Sequence, residues 1–287
     1  MKLIRHGIPG KELPGILHEG KKWDTSRWFD DYGESFFENE GISKLSQLLK
    51  DNFSEMTLLS DDVRLGPPVG RPSKIVCVGL NYRDHAIETN STIPTQPILF
   101  FKSTTALCGP DDDLIIPLNS NKTDWEIELA VVIGKKASYV PIDRAMEYVA
   151  GYCMMNDYSE RAFQKEMGGQ FCKGKSCDTF APLGPWLVTK DEIEDVHNLK
   201  MQLTVNGKTY QNGNTADMIF SVGQLVSYIS QFMTLLPGDI ISTGTPAGVG
   251  AGVKPHPVFL HEGDTIEMYI ESLGRSSQKS KGLTMKG

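Results

Sequence analysis

No stretch of this 287-residue chain is apolar over the roughly 18–20 residues that a bilayer-spanning helix needs, so no membrane span is expected. Nor is there a basic excess. Lys and Arg total 29 against 36 Asp and Glu, a net charge of -7, which argues against nucleic acid or an anionic membrane as the main partner. Cysteine is sparse. Cys77, Cys108, Cys153, Cys172 and Cys177 are odd in number and no pair has CxxC spacing, so neither a disulfide framework nor a zinc site is expected. A reduced, cytoplasmic setting fits. Met1 to Gly7 has no long apolar core behind its basic residues and does not read as a signal peptide. Two glycine motifs also lack what would make them nucleotide loops. Gly174-Lys175-Ser176 has no strand-turn glycine lead-in and is followed by prolines. Gly244-Thr245-Pro246-Ala247-Gly248-Val249-Gly250 runs into Lys254-Pro255-His256-Pro257, which prevents the helix a dinucleotide loop requires.

What is present is ordinary globular composition, 39% hydrophobic and 23% charged, enough for one large domain or a large and a small one. Gly66-Pro67-Pro68-Val69-Gly70-Arg71-Pro72 is the one strong linker. It divides a small N-terminal α+β unit, residues 1–70, from the remainder, residues 71–287. The first unit holds a strand over Lys2 to Arg5, a hairpin turning at Glu19-Gly20-Lys21, and a helix with Ile42, Leu45, Leu48 and Leu49 on one face. His6 and His18 read as surface or packing histidines, because neither sits in a polar cluster.

The stretch around which the larger part is organised runs from Asp124 to Gly134. Ile127 to Ile133 is almost all apolar and reads as a strand buried on both faces. Glu126 and Glu128 sit at its mouth, on the same side and about 6.5–7 Å apart along the backbone. Paired carboxylates at the edge of a core need a proton, a cation or a salt-bridge partner. A divalent metal is one solution, since a hard cation takes several carboxylate oxygens at once. A solvated strand end is the other. The acidic turn Asp111-Asp112-Asp113 lacks EF-hand spacing and reads as solvated.

Other polar groups also follow core strands. After Lys74 to Gly79, a helical turn would put His85 and Glu88 on one side, where the carboxylate orients the imidazole and raises its basicity. Thr89 to Pro97 reads as a mobile loop beside them. Pro97 to Lys102 reads as another buried strand, ending in a lysine. Val149 to Asn156 ends at Asp157, and a helix beginning there would align Asp157, Arg161 and Gln164. Lys175 could aim an ammonium into a cleft. The 244–252 turn could bind a carboxylate or phosphate through backbone N–H groups and the Thr245 hydroxyl. Arg275 to Gly287 reads as a polar, frayed end.

Taken in order, Asn81-Tyr82-x-x-His85-x-x-Glu88, Trp125-Glu126-x-Glu128-Leu129-Ala130, Asn156-Asp157-x-Ser159-x-Arg161-x-x-Gln164, Gly174-Lys175-Ser176-x-Asp178-Thr179-Phe180 and Pro237-Gly238-Asp239-x-Ile241-x-Thr243-Gly244-Thr245-Pro246 resemble the fumarylacetoacetate hydrolase family over about Ser73 to Leu273. The resemblance implies a mixed α/β, β-rich fold of the β-roll type, here with a small N-terminal accessory domain, and a homodimer. It implies Mg²⁺ or Mn²⁺ held by Glu126, Glu128 and Asp157, with His85 and Glu88 as a water-activating dyad on a closing lid. It implies Lys175 as a further catalytic group, and Arg161, Gln164 and Thr245 as substrate contacts. Ser103 follows Lys102 where relatives usually have proline, and Cys177 stands where phenylalanine is common. No counterpart is found for the founding enzyme's fourth ligand aspartate, so three protein ligands plus water are expected.

Three functions follow from this reading. The first is a metal-dependent hydrolase cleaving a carbon–carbon bond in a β-diketo acid, of the acylpyruvate or 2,4-diketo-3-deoxy sugar acid type. The second is a 2-oxo acid decarboxylase, isomerase or hydratase, for example one acting on oxaloacetate. The third is a metal- or ligand-binding protein without turnover, against which the intact His85/Glu88 pair argues. Replacing Asp157 with alanine is expected to remove metal and activity without unfolding the chain.

Overall fold

Residues 1–283 are described by the computed structural model. Its backbone is a twelve-stranded sheet with a five-stranded sheet beside it. The seven residues Ile127–Ile133 are all buried, as expected of an apolar, β-branched run. Burying each large apolar side chain there contributes about 1.5–3 kcal/mol. This strand lies in mid-sheet, antiparallel to Val149–Asn156 on one side and Ile240–Ser242 on the other. Its register with Val149–Asn156 pairs Ile127 with Asn156, so Glu126 and Asp157 face each other just beyond the paired ends.

Ile75–Gly79 runs parallel to Ile240–Ser242 and forms the next strand outward. Ile98–Lys102 closes that side of the sheet. It is not the buried strand its composition suggests: it is an edge strand, with Ile98 and Phe101 exposed and only Lys102 buried. On the opposite side, Ala181–Thr189 pairs with Val149–Asn156 and also with Lys2–His6. Through that second pairing the N-terminal strands continue the same sheet, and Leu3, Ile16 and Tyr32 join the same hydrophobic core as Ile127 and Val131.

The second sheet contains the hairpin Lys200–Val205 and Lys208–Asn214, which turns at Asn206-Gly207. It also contains Gly274–Gly282, paired with Thr265–Ile270 and Leu114–Ile116. The polar C-terminal segment is therefore a strand through Gly282 rather than a frayed end; its last residues, 284–287, lie outside the described residues. Ile142–Tyr148 forms a short helix of the 3-10 type. Among the described residues no helix is long and apolar enough to cross a membrane.

His6 is a packing histidine, 5% exposed, with Nε2 at 3.3 Å from Asp24 Oδ2. Burial lowers its pKa below the usual 6.5, and the neighbouring Asp24 charge does not fully offset this. The unfolded chain therefore takes up the proton first. Stability held above about pH 6.5 is lost as the pH falls through that value toward the lower folded pKa. Between about pH 7.5 and 5.5 the wild-type melting temperature should fall more than that of His6→Gln. Parallel curves for the two proteins would contradict the assignment.

Candidate active site and metal centre

Glu126, Glu128 and Asp157 converge at the mouth of the central strand pair. All three are buried, and each offers an oxygen within 4.8 Å of the others. Backbone register sets this up: Asp157 N–H donates to Glu126 C=O at 2.8 Å, and Glu126 N–H donates to the Asn156 side chain at 2.8 Å. Glu128, two residues inward, accepts from Gly244 N–H at 3.0 Å and from the Ser242 hydroxyl.

Three cations are interleaved with the carboxylates. Lys175 Nζ lies 2.6 Å from Glu126 Oε2 and 2.7 Å from Asp157 Oδ2. Its ammonium also sits 5.1 Å from the centroid of the Phe100 ring. Lys102 Nζ donates to Asp157 Oδ1 at 2.5 Å and to Tyr158 C=O at 3.0 Å. Arg161 donates to Glu126 Oε1 at 2.6 Å, to Asp124 Oδ2 at 2.8 Å and to Gln164 Oε1 at 3.2 Å.

These contacts separate the two glutamates. Burial pushes the Glu126 carboxyl up, but Lys175 and Arg161 override it and hold the group far below the usual carboxylate range. Burial together with the Asp157 and Glu126 charges drives Glu128 well above that range, against the pull of Lys175 and Ser242. Lys175 is held above its ordinary value: burial lowers it, but the carboxylates around it prevail.

The donor set suits a hard divalent cation. Ligand oxygens about 2.1 Å from such an ion lie about 3 Å apart when adjacent and about 4.2 Å apart when opposite, close to the spread seen here. Every candidate donor is a carboxylate oxygen, and there is no sulfur or imidazole in the cluster.

A cavity of 280 Å³ opens onto Glu126 and Glu128. His85, Arg161, Gln164, Lys175 and Thr245 all line it. His85 and Glu88 lie on the short helix Arg83–Glu88, with His85 Nδ1 3.0 Å from Glu88 Oε2. A carboxylate can only accept, so Nδ1 carries the hydrogen and Nε2 is left with its lone pair. Thr89 and Ser91, from the loop that follows, also border the cavity. Gln164 accepts from Arg161 through its oxygen, and its NH₂ has no partner among the described residues. Thr245 has spent its hydroxyl hydrogen on Ile127 C=O at 2.8 Å and accepts from Gln211 at 2.7 Å, so toward a ligand the hydroxyl retains acceptor capacity only.

Two local expectations need correction. The helix that carries Arg161 and Gln164 does not begin at Asp157. Ser159–Glu160 first pairs with Thr123–Asp124, Glu160 caps the helix by accepting Ala162 N–H, and Arg161 opens it. The three residues are gathered by that bridge and not by one helical face. Second, the N–H groups of the glycine-rich turn are taken by the protein's own acids. Ala247 donates to Asp84, Gly248 to Glu88 at 2.9 Å, and Gly250 and Ala251 to Asp124 at 2.6 and 3.0 Å. The turn fastens the His85 helix to the Arg161 anchor. A Cβ on Gly252 would come within 2.4 Å of the Glu88 carboxyl carbon, so a side chain there would displace the Glu88 carboxylate.

Sequence reasoning assigned no role to Lys102 or Asp124. Each carried a signal: Lys102 ends an apolar run, and Asp124 continues the two-residue spacing of Glu126 and Glu128. Lys175 closes the five-residue helix Phe171–Lys175. That helix packs so tightly against its predecessor that a Cβ on Gly174 would lie 2.5 Å from Glu160 C=O.

Residues 74–279 match the family described as fumarylacetoacetate (FAA) hydrolase C-terminal. A Burkholderia orbicola protein, whose name specifies a hydrolase and no substrate, is 49% identical over 282 residues, covering 98% of this chain and 99% of that protein. The fumarylacetoacetate hydrolase structure from Exiguobacterium antarcticum is 34% identical, with TM-score 0.84, over 99% of this chain and 100% of that one. Maleylpyruvate hydrolase from Sphingobium sp. SYK-6, in complex with manganese(II) and pyruvate, is 28% identical with TM-score 0.83 over the same shares. The 2-hydroxyhepta-2,4-diene-1,7-dioate isomerase structure from Mycobacterium marinum is 31% identical with TM-score 0.71, again over those shares.

Proposed function

The chain belongs to the fumarylacetoacetate hydrolase family, and from that premise we propose that it is a metal-dependent hydrolase cleaving a carbon–carbon bond in a β-diketo acid of the acylpyruvate or 2,4-diketo-3-deoxy sugar acid type. The observation that carries this reading is the His85–Glu88 pair, 3.0 Å apart, with His85 on the wall of the cavity that Glu126 and Glu128 also line. Glu126, Glu128 and Asp157 would hold Mg²⁺ or Mn²⁺, and the manganese in the maleylpyruvate hydrolase relative supports the second. Such an ion supplies a Lewis acid for the oxygens of a 2-oxo acid.

The remaining work falls to the side chains. His85 Nε2 takes a proton from water, with its ring oriented by Glu88. The hydroxide adds to the distal carbonyl. The bond between that carbon and the methylene breaks, and its electron pair passes to the pyruvyl fragment. The Lys175 ammonium donates to the oxygen on which negative charge develops. The imidazolium of His85 then returns its proton to the methylene carbon. Gln164 donates through its free NH₂, and Arg161 holds the substrate beside it.

The isomerase among the relatives favours a second reading, in which His85 moves a proton between carbons and no water is consumed. Oxaloacetate decarboxylation likewise needs no attacking water. The reactions separate in H₂¹⁸O. Acetylpyruvate cleavage should place one solvent oxygen in the acetate product, detected by mass. Release of CO₂ from oxaloacetate, or double-bond migration, with no ¹⁸O incorporated from any diketo acid would reject the hydrolase reading.

A further inference from the structure

We infer that Lys165 binds a second carboxylate at the cavity mouth, so that the preferred substrates are dicarboxylic diketo acids. This rests on the reading of the site as one for 2-oxo and diketo acids. Lys165 lines the cavity together with Arg161, Gln164 and Lys175, but its side chain differs from theirs. Arg161 and Lys175 are buried and each is shared between two carboxylates. Lys165 is exposed and makes no ion pair or hydrogen bond with any described residue. The adjacent acid, Glu166, is already paired with Lys122 at 2.5 Å.

Position on the helix Arg161–Lys165 gives the ammonium its task. Arg161 and Lys165 are four residues apart and share a face, with Lys165 about 6 Å farther along the axis. The charge of Arg161 is already met by Asp124 and Glu126, whereas the Lys165 ammonium is left to an anion in the cavity. Gln164, whose NH₂ is free, lies next to Lys165 in the same wall. The apolar part of the cavity wall is formed by Ile98, Phe100, Phe171 and Val249. A diketo acid anchored by its 2-oxo carboxylate end at the buried carboxylate centre would run its carbon chain along that apolar wall. A carboxylate at its far end would meet Lys165, and a neutral alkyl end would leave the ammonium in water.

Affinities of pyruvate and 2-oxoglutarate for the Mn²⁺-loaded wild type, Lys165→Met and Lys165→Glu, measured by calorimetry, test the inference. Two hydrolysis substrates, acetylpyruvate and fumarylpyruvate, supply KM and kcat. Lys165→Met should lower the preference for 2-oxoglutarate over pyruvate about three- to tenfold, and Lys165→Glu should lower it further. For fumarylpyruvate the loss should lie in KM rather than kcat. Equal effects on mono- and dicarboxylates, or none on either, would overturn the role of Lys165 while leaving the diketo acid reading intact. A wild type that binds neither 2-oxo acid and cleaves neither substrate would overturn both.

Discussion

Replacing His85 with alanine is expected to lower kcat for an acylpyruvate by about 10²–10⁴-fold, the usual contribution of a positioned general base. The imidazole has one nitrogen committed to Glu88 and the other free at the cavity wall. His85 is not among the three carboxylate donors, so Mn²⁺ stoichiometry should be retained in the variant. Decarboxylation of oxaloacetate, which needs no hydroxide, should fall far less. The helix should keep its place, because Asp84 and Glu88 still receive the N–H groups of Ala247 and Gly248. The measurement is steady-state turnover of both substrates beside elemental analysis. Hydrolysis within about threefold of wild type would remove His85 from the mechanism.

Asp157→Asn should abolish stoichiometric Mn²⁺ binding and, with it, hydrolysis, a larger loss than that from His85→Ala. The carboxylate is fully buried and receives Lys102 on one oxygen and Lys175 on the other. This double pairing attaches a stability cost to removing the residue, even where the chain still folds. Alanine at 157 would leave Lys102 with only the Tyr158 carbonyl and Lys175 with only Glu126. Breaking a buried ion pair by deleting one partner costs about 3–5 kcal/mol. For a chain of this size that is a fall in melting temperature on the order of 10 °C. Asparagine keeps one acceptor oxygen and should lose less stability than alanine. Melting curves and elemental analysis of both variants decide the matter. Retained stoichiometric Mn²⁺ in Asp157→Asn would refute the assignment, and an unchanged melting temperature in Asp157→Ala would refute the structural argument.

Within the candidate site, what could be read in advance was local. The 127–133 strand announces itself through seven consecutive apolar or strand-face residues, and Glu126 and Glu128 share a side because strand side chains alternate. His85 and Glu88 meet because residues three apart on a helix are neighbours. The Asn206-Gly207 hairpin is equally local, because its turn chemistry is contained in the residues themselves.

The misread elements share one cause, that composition does not say which neighbour a segment meets. Ile98–Lys102 has the apolar content of a core strand yet lies at the sheet edge, because strand order is a property of topology. Gly274–Gly282 looks polar and unstructured, but its inward residues Ser276, Gln278 and Ser280 are buried. Tyr158 donates to Gln278, which donates in turn to Asp112 C=O. Hydrophobic periodicity has no term for a strand whose buried face is polar and is tied in by hydrogen bonds through Gln278 and Ser280.

By itself the sequence determined the apolar strands, the pairs of functional groups within single elements, and, through five ordered motifs, the family. Only the tertiary structure decided that Asp157 stands opposite Glu126, that Lys102 and Lys175 share its two oxygens, and that Asp84, Glu88 and Asp124 occupy the glycine-rich turn. Lys102 is 55 positions from Asp157, and the turn's bonds to those acids span 126 to 163 positions. Propensity and spacing act over one or two turns of chain, whereas an ion pair or backbone hydrogen bond forms between whichever groups the sheet register places within 3 Å.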